Sequence, residues 1–207
     1  MFSHHVDILS FIYESKMSIP DTLCEEIIQK FDNQPDGKYD GLTVGGVNKN
    51  IKDTTDFIIP YKSDDWSKIN TFLHKELNKH LQKYISKINV DAYYPNNNND
   101  EDGSIFTNSK LHVDCFMVQK YNKQCGKYTY HNDFRVDGDR HRIITYLWYL
   151  NTVSEGGETQ FWDGYKIKPE QGKLLLFPAN WCFQHRGNMP ISHDKYIITG
   201  WFYINNF

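Results

Sequence analysis

Four side chains carry most of the chemistry legible in this chain: His131 and Asp133 in the run His-Asn-Asp, a distant His185, and Lys195 ten residues beyond it. Residues two apart on a strand point to the same face, so His131 and Asp133 could bind one ion together. With a second histidine they supply a 2-His-1-carboxylate facial triad. Such a triad occupies one face of an octahedral ion and leaves three positions open, which suits non-haem Fe(II). Lys195 adds a fixed cation, able to hold the far carboxylate of a dicarboxylic cosubstrate.

The histidine–carboxylate pair occurs twice. His112-Val113-Asp114 is a second copy in a chain with nine histidines, and an isolated pair of this kind is more often a plain polar couple. The residues after the downstream copy separate the two. A charged turn, Asp137-Gly138-Asp139, leads into Arg142–Leu150, whose β-branched and aromatic content reads as a buried strand. Then come Gly156-Gly157-Glu158-Thr159, Gly172 with Phe177-Pro178, and His185 with Lys195 and Trp201 after it.

In that order these motifs resemble the 2-oxoglutarate- and Fe(II)-dependent dioxygenases, within them the prolyl 4-hydroxylase-like branch. The resemblance spans Tyr121 to Tyr203 and includes Tyr128 three residues before His131. It implies iron ligation by His131, Asp133 and His185, and capture of the distal carboxylate of 2-oxoglutarate by Lys195 with help from Thr159. It also implies that Tyr121 lines the cosubstrate pocket and that Tyr128, Arg142 and Trp201 face the substrate. His112 and Asp114 match nothing in the family. Trp148 is bulkier than the residue many relatives place there, which predicts a narrowed pocket. The implied activity is hydroxylation of an unactivated C–H with O₂, giving succinate and CO₂, with ascorbate a candidate reductant. A peptidyl proline is the leading substrate, and a free amino acid or other small molecule is the alternative. A non-catalytic metal-binding jelly-roll module is the reading from another class, and it gives no use to Lys195.

These side chains need rigid strands to hold them. From Leu111 onward the chain is short strands and turns with no helical pattern of useful length, the mark of an antiparallel double-sheet jelly roll. Before that, Asp21 opens a helix in which Leu23, Ile27, Ile28 and Phe31 share a face. Ser63-Asp64-Asp65 caps a long amphipathic helix carrying Trp66, Ile69, Leu73, Leu77, Leu81 and Ile85. The lysines and histidines on the other side of that helix, His74 and His80 included, read as a solvated face. The fold class expected is α+β, mainly β: a double-stranded β-helix with N-terminal helices packed on one sheet. Residues 1–207 read as one domain, 1–110 as helical and loop support and 111–207 as the catalytic jelly roll. Residues 36–52 read as a polar, glycine-punctuated hairpin or loop near the site, and 96–103 as a polar loop rather than a calcium loop.

Composition excludes several classes. The net charge is −3 with no long basic run, and the abundant aromatics lack interleaved lysine and arginine, so nucleic acid is not an expected partner. No apolar stretch approaches the ~18 residues of a membrane span, and the first residues lack a signal-peptide pattern. Cys24, Cys115, Cys125 and Cys182 form no framework spacing and read as reduced thiols of a cytoplasmic protein.

Overall fold

The longer strands are rich in β-branched and aromatic residues and are buried on both faces, one face against helices and the other against a second sheet, and that double burial builds the molecule. The computed structural model describes residues 8–88 and 111–205. In chain order the strands are β1 (Tyr13–Ser15), β2 (Tyr39–Asp40), β3 (Leu42–Thr43), β4 (Gly46–Val47), β5 (Lys52–Asp53), β6 (Thr55–Ile58), β7 (His112–Val113) and β8 (Met117–Tyr121). They continue with β9 (Lys127–His131), β10 (Val136–Asp137), β11 (Arg140–Tyr149), β12 (Thr159–Phe161), β13 (Lys166–Ile167), β14 (Leu174–Pro178), β15 (His185–Gly187) and β16 (Lys195–Asn205). Helix α1 is Asp21–Asn33 and helix α2 is Asp64–Ile88.

The major sheet runs β1-β14-β11-β16-β8-β6-β2, and the minor sheet β13-β12-β15-β9-β5, every pairing antiparallel. This is a double-stranded β-helix. Helices α1 and α2 pack on the outer face of the major sheet: Cys24, Ile27 and Phe31 of α1 and Trp66, Ile69, Leu73, Leu77 and Leu81 of α2 join Phe57, Val118, Tyr146, Trp148 and Ile198 in one core. Acidic residues open α2 and Lys87 sits in its last turn, as the helix dipole favours. A second, smaller core of Tyr121, Leu147, Tyr149, Phe161, Phe177 and Ile197 lies on the other face.

Several details differ from the sequence reading. Cys24 rather than Leu23 is the fully buried residue at the start of α1. His80 is buried rather than solvated: its two ring nitrogens meet the Tyr13 hydroxyl and the Glu76 carboxylate, each at 2.8 Å, because β1 crosses that face of α2. Trp148 points into the helix-side core, where its ring N–H donates to Ser18 Oγ, so it does not narrow the pocket; on β11 the cavity-facing neighbours are Thr145 and Leu147. The sheets also recruit β2, β5 and β6 from residues before 110, a region read as helices and loops. Strands this short fall below what periodicity resolves. The stretch 96–103 lies outside the described residues. No helix among the described residues is long and apolar enough to cross a membrane, and all four cysteines are free.

Candidate active site

Between the two sheets opens a cavity of about 550 Å³ lined by all nine residues singled out from the sequence: His131, Asp133, His185, Lys195, Thr159, Tyr121, Tyr128, Arg142 and Trp201. The alternation of the major sheet selects them. Lys195, Ile197, Thr199, Trp201 and Tyr203 of β16 face the cavity, while Tyr196, Ile198 and Phe202 between them enter the helix-side core.

On the minor sheet His131 of β9 stands directly opposite His185 of β15 in the register. Asp133 lies two residues after His131, and its backbone N–H donates to the Ala179 carbonyl. The ligand atoms of the three all lie within 4.8 Å of one another. Each histidine is aimed by a backbone carbonyl: His131 Nδ1 meets Thr129 O at 2.8 Å, and His185 Nδ1 meets Phe183 O at 3.0 Å. A carbonyl only accepts, so both Nδ1 atoms carry the proton and both Nε2 lone pairs are free. Those Nε2 atoms each lie 3.6 Å from a different oxygen of Asp133. Thr145 donates to Asp133 Oδ2 at 2.8 Å and fixes the carboxylate. Carbonyl-oriented imidazoles around a hydrogen-bonded carboxylate are what a metal's ligands require of their surroundings.

Protonation agrees. Burial, and then the charge of His185, push His131 down to about 4, so it is neutral at pH 7. Burial works to raise the Asp133 carboxyl, but His185, His131 and the Thr145 bond outweigh it and hold it below the usual range. The ring of Tyr128 stacks on His131 with centroids 3.5 Å apart.

Lys195 is 1% exposed. Its ammonium donates to Gly157 O at 3.0 Å and lies 3.9 Å from the centre of the Tyr121 ring. Gly156 and Gly157 both have positive φ, near 74° and 73°, and a Cβ on Gly156 would come 2.4 Å from Met189 O. That glycine-only turn is what delivers the Gly157 carbonyl to Lys195. Burial pushes Lys195 down to about 7, opposed by the charge of Glu158. Thr159 Oγ1 accepts from the Tyr149 hydroxyl at 2.6 Å, which leaves its own O–H to donate elsewhere. At the mouth, the Arg142 guanidinium stacks 3.6 Å from the Trp201 ring centre and donates to Tyr203 OH at 3.1 Å. Trp201 Nε1 is a buried donor with no partner among the described residues.

The upstream pair does not assemble a site. His112 stacks on Tyr203, and Asp114 pairs with Arg140 at 3.3 Å. Sequence reasoning missed a polar wall beside Tyr128. Lys52 Nζ donates to Asp56 Oδ2 at 2.6 Å, Thr54 Oγ1 to Asp56 Oδ1 at 2.7 Å, and Gln119 Nε2 to Asp56 Oδ2 at 3.2 Å. Burial raises the Asp56 carboxyl, and Lys52 chiefly opposes it. The available signal was the alternation in Thr55-Asp56-Phe57-Ile58, which puts Asp56 opposite the face of Phe57.

Residues 116–203 match the model of the 2OG-Fe(II) oxygenase superfamily. Over that stretch, which is under half of the chain, the protein is similar to a 2OG-Fe(II) oxygenase domain. That family works with Fe(II) and 2-oxoglutarate, and the histidine–aspartate–histidine group fits the iron. Similar solved structures share the fold at low identity. A viral collagen prolyl hydroxylase of Paramecium bursaria Chlorella virus-1, in its 2OG complex, has a TM-score of 0.62 at 19% identity over 94% of this chain and 96% of that one. A prolyl hydroxylase of Trichoplax adhaerens, in complex with a hypoxia inducible factor peptide, has a TM-score of 0.68 at 20% identity over 94% and 84%. A Pseudomonas putida prolyl-4-hydroxylase has a TM-score of 0.62 at 16% identity over 93% and 92%. Among curated proteins none matches the sequence.

Proposed function

We propose that residues 1–207 act as one domain that hydroxylates a peptidyl proline, with His131, Asp133 and His185 holding Fe(II). The observation that carries this reading is the coincidence, in one cavity, of two carbonyl-aimed histidines, a fixed carboxylate and a buried, separate ammonium at Lys195. Bound there, iron and 2-oxoglutarate supply hydroxylation of an unactivated C–H with O₂, giving succinate and CO₂.

The protein's own part is binding, orientation and exclusion of water. Lys195 and the free O–H of Thr159 hold the distal carboxylate of 2-oxoglutarate, with Tyr121 packed against the ammonium. In a wall this dry a charge-assisted bond is strong, and it fixes the cosubstrate relative to the histidines. Tyr128, stacked on His131, and the Arg142–Trp201 stack frame the approach of the substrate. Trp201 Nε1 offers it an unused donor. A peptide is favoured by the open mouth, where Leu42, Thr43 and Val44 of the hairpin formed by β3 and β4 line the cavity rim. It is favoured too by neighbours that are prolyl hydroxylases, one with a peptide bound. The four free thiols fit a cytoplasmic setting, and ascorbate is the proposed reductant.

The test adds Fe(II) and 2-oxoglutarate without oxygen and looks for the weak metal-to-ligand charge-transfer band. A panel of proline peptides and free amino acids is then scored for succinate and hydroxylated product. Metal binding without that band would leave a non-catalytic metal module. The band with turnover of free amino acids alone would move the substrate to the small-molecule class.

A further inference from the structure

The buried Lys52–Asp56 pair has no part in holding metal or cosubstrate, yet both residues line the catalytic cavity. Such a pair contributes little net stability, because taking both charges out of water offsets their attraction, so a structural role explains it poorly. Its bonding is lopsided. Asp56 receives three donors, from Lys52, Thr54 and Gln119, out of about four acceptor directions. The Lys52 ammonium has three N–H bonds and, among the described residues, one acceptor, Asp56. Nor can its stem move freely: a Cβ on Gly41 would lie 3.0 Å from both Lys52 Cδ and Cε, so the backbone there rests on it. The ammonium is thus held 5.4 Å from the centre of the Tyr128 ring, which also stacks on His131.

The remaining charges sharpen the chemistry this wall accepts. Four carboxylates line the cavity among the described residues. Asp56 is taken by Lys52, Asp114 by Arg140 at 3.3 Å, and Asp137 by Arg135 at 2.5 Å. Asp133 belongs to the candidate metal group. None is free for a substrate ammonium, whereas donors are left over on Lys52 and on Trp201 Nε1. Because Lys52 is already neutralised by Asp56, the pair offers directed N–H bonds without a net charge. That combination suits a neutral oxygen acceptor.

We propose that Lys52, fixed by Asp56, is a substrate-orienting donor that takes an amide carbonyl beside the hydroxylated carbon, and that the site therefore selects an acylated, peptidyl residue over a free amino acid. This inference rests on the oxygenase reading above and specifies its substrate side.

The experiment compares wild type, Lys52→Met and Lys52→Arg on N-acetylated, C-amidated proline peptides and on free proline, with succinate and hydroxylated product measured separately. Lys52→Met is expected to raise the peptide KM by about tenfold or more and to increase succinate formed per hydroxylated product. The anaerobic charge-transfer band with Fe(II) and 2-oxoglutarate should be unchanged, and Lys52→Arg should recover part of the coupling. Lys52→Met strands a buried carboxylate, so if it fails to fold, Lys52→Met/Asp56→Asn, which removes both charges, carries the same comparison. Unchanged KM and coupling in a folded variant overturn the proposal, as does loss of 2-oxoglutarate binding or equal turnover of free proline by wild type. If wild type forms the band but hydroxylates no proline substrate, the prolyl reading falls and takes this inference with it. Peptide turnover indifferent to Lys52 removes the inference alone.

Discussion

Replacing Lys195 by Met should make the protein more stable and its cosubstrate binding worse, and the opposite signs are the test. The ammonium is 1% exposed and, without a cosubstrate, has only a carbonyl and the Tyr121 ring for company. Burial lowers it from 10.5 to about 7. Below pH 7 the lysine is protonated in both folded and unfolded chains, and the full cost of burying the charge falls on the fold. Between about 7 and 10.5 the folded protein sheds the proton first, so that cost fades, and above 10.5 it is gone. The gap corresponds to an upper bound on the order of 5 kcal/mol. Methionine fills similar volume without charge. At pH 6 the metal-free, cosubstrate-free variant should melt about 5 °C or more above wild type, and the difference should shrink toward pH 10. With Fe(II) present, 2-oxoglutarate should bind at least ~2–3 kcal/mol more weakly, since its distal carboxylate would meet no cation in a buried site. Melting curves across pH, with calorimetric titration of 2-oxoglutarate into the anaerobic iron-loaded protein, read both effects. A variant that is less stable at pH 6 and binds 2-oxoglutarate as well as wild type would refute the assignment of Lys195.

The same geometry fixes three further outcomes. His131→Ala, Asp133→Ala and His185→Ala should each abolish succinate release, while His112→Ala, which loses only its stack on Tyr203, should stay near wild-type activity; an active His131→Ala beside an inactive His112→Ala would reverse the choice of pair. Thr159→Val should weaken 2-oxoglutarate by about 1 kcal/mol, one neutral hydrogen bond, and change stability little in a melting curve, because Tyr149 OH keeps the Ile167 carbonyl at 3.4 Å. Arg142→Ala removes the cation stacked on Trp201 and should raise the peptide KM about tenfold while leaving that for 2-oxoglutarate unchanged; initial-rate kinetics with each substrate varied in turn decide it.

The proximity of the three candidate metal ligands was legible because its logic is local. His131 and Asp133 share a strand face by spacing alone, and the apolar runs around Tyr146 and Ile198 announce the sheet that supports Lys195 and Trp201. The helices were legible from their apolar steps. The Lys52–Asp56 wall was not. Its members sit in strands of two and four residues, and the burial of those charges comes from β8 and β9, some 60 or more residues away in the chain. His80 escaped for the same reason: β1, not the helix itself, covers it. A sequence reports which face of an element a residue occupies, but the neighbour that seals that face is a tertiary fact.

The two faces of the major sheet are written as interleaved alphabets on the same strands. On β16 the odd-numbered residues from Lys195 to Tyr203 spell the cavity, and Tyr196, Ile198 and Phe202 spell the helix-side core; β8 divides the same way at Met117, Gln119 and Tyr121 against Val118. Substitutions at Thr199, Trp201 and Tyr203 can therefore drift toward new substrates without entering the helix-side packing, whereas Tyr121 and Ile197 also belong to the smaller core and are less free. A single inserted or deleted residue within β16 enjoys no such freedom. It would exchange the two texts over the rest of the strand, burying charge among the helices and turning leucine-like bulk into the site. Lineages descended from this chain should thus vary by replacement along β16 and change length only in the loops that flank it.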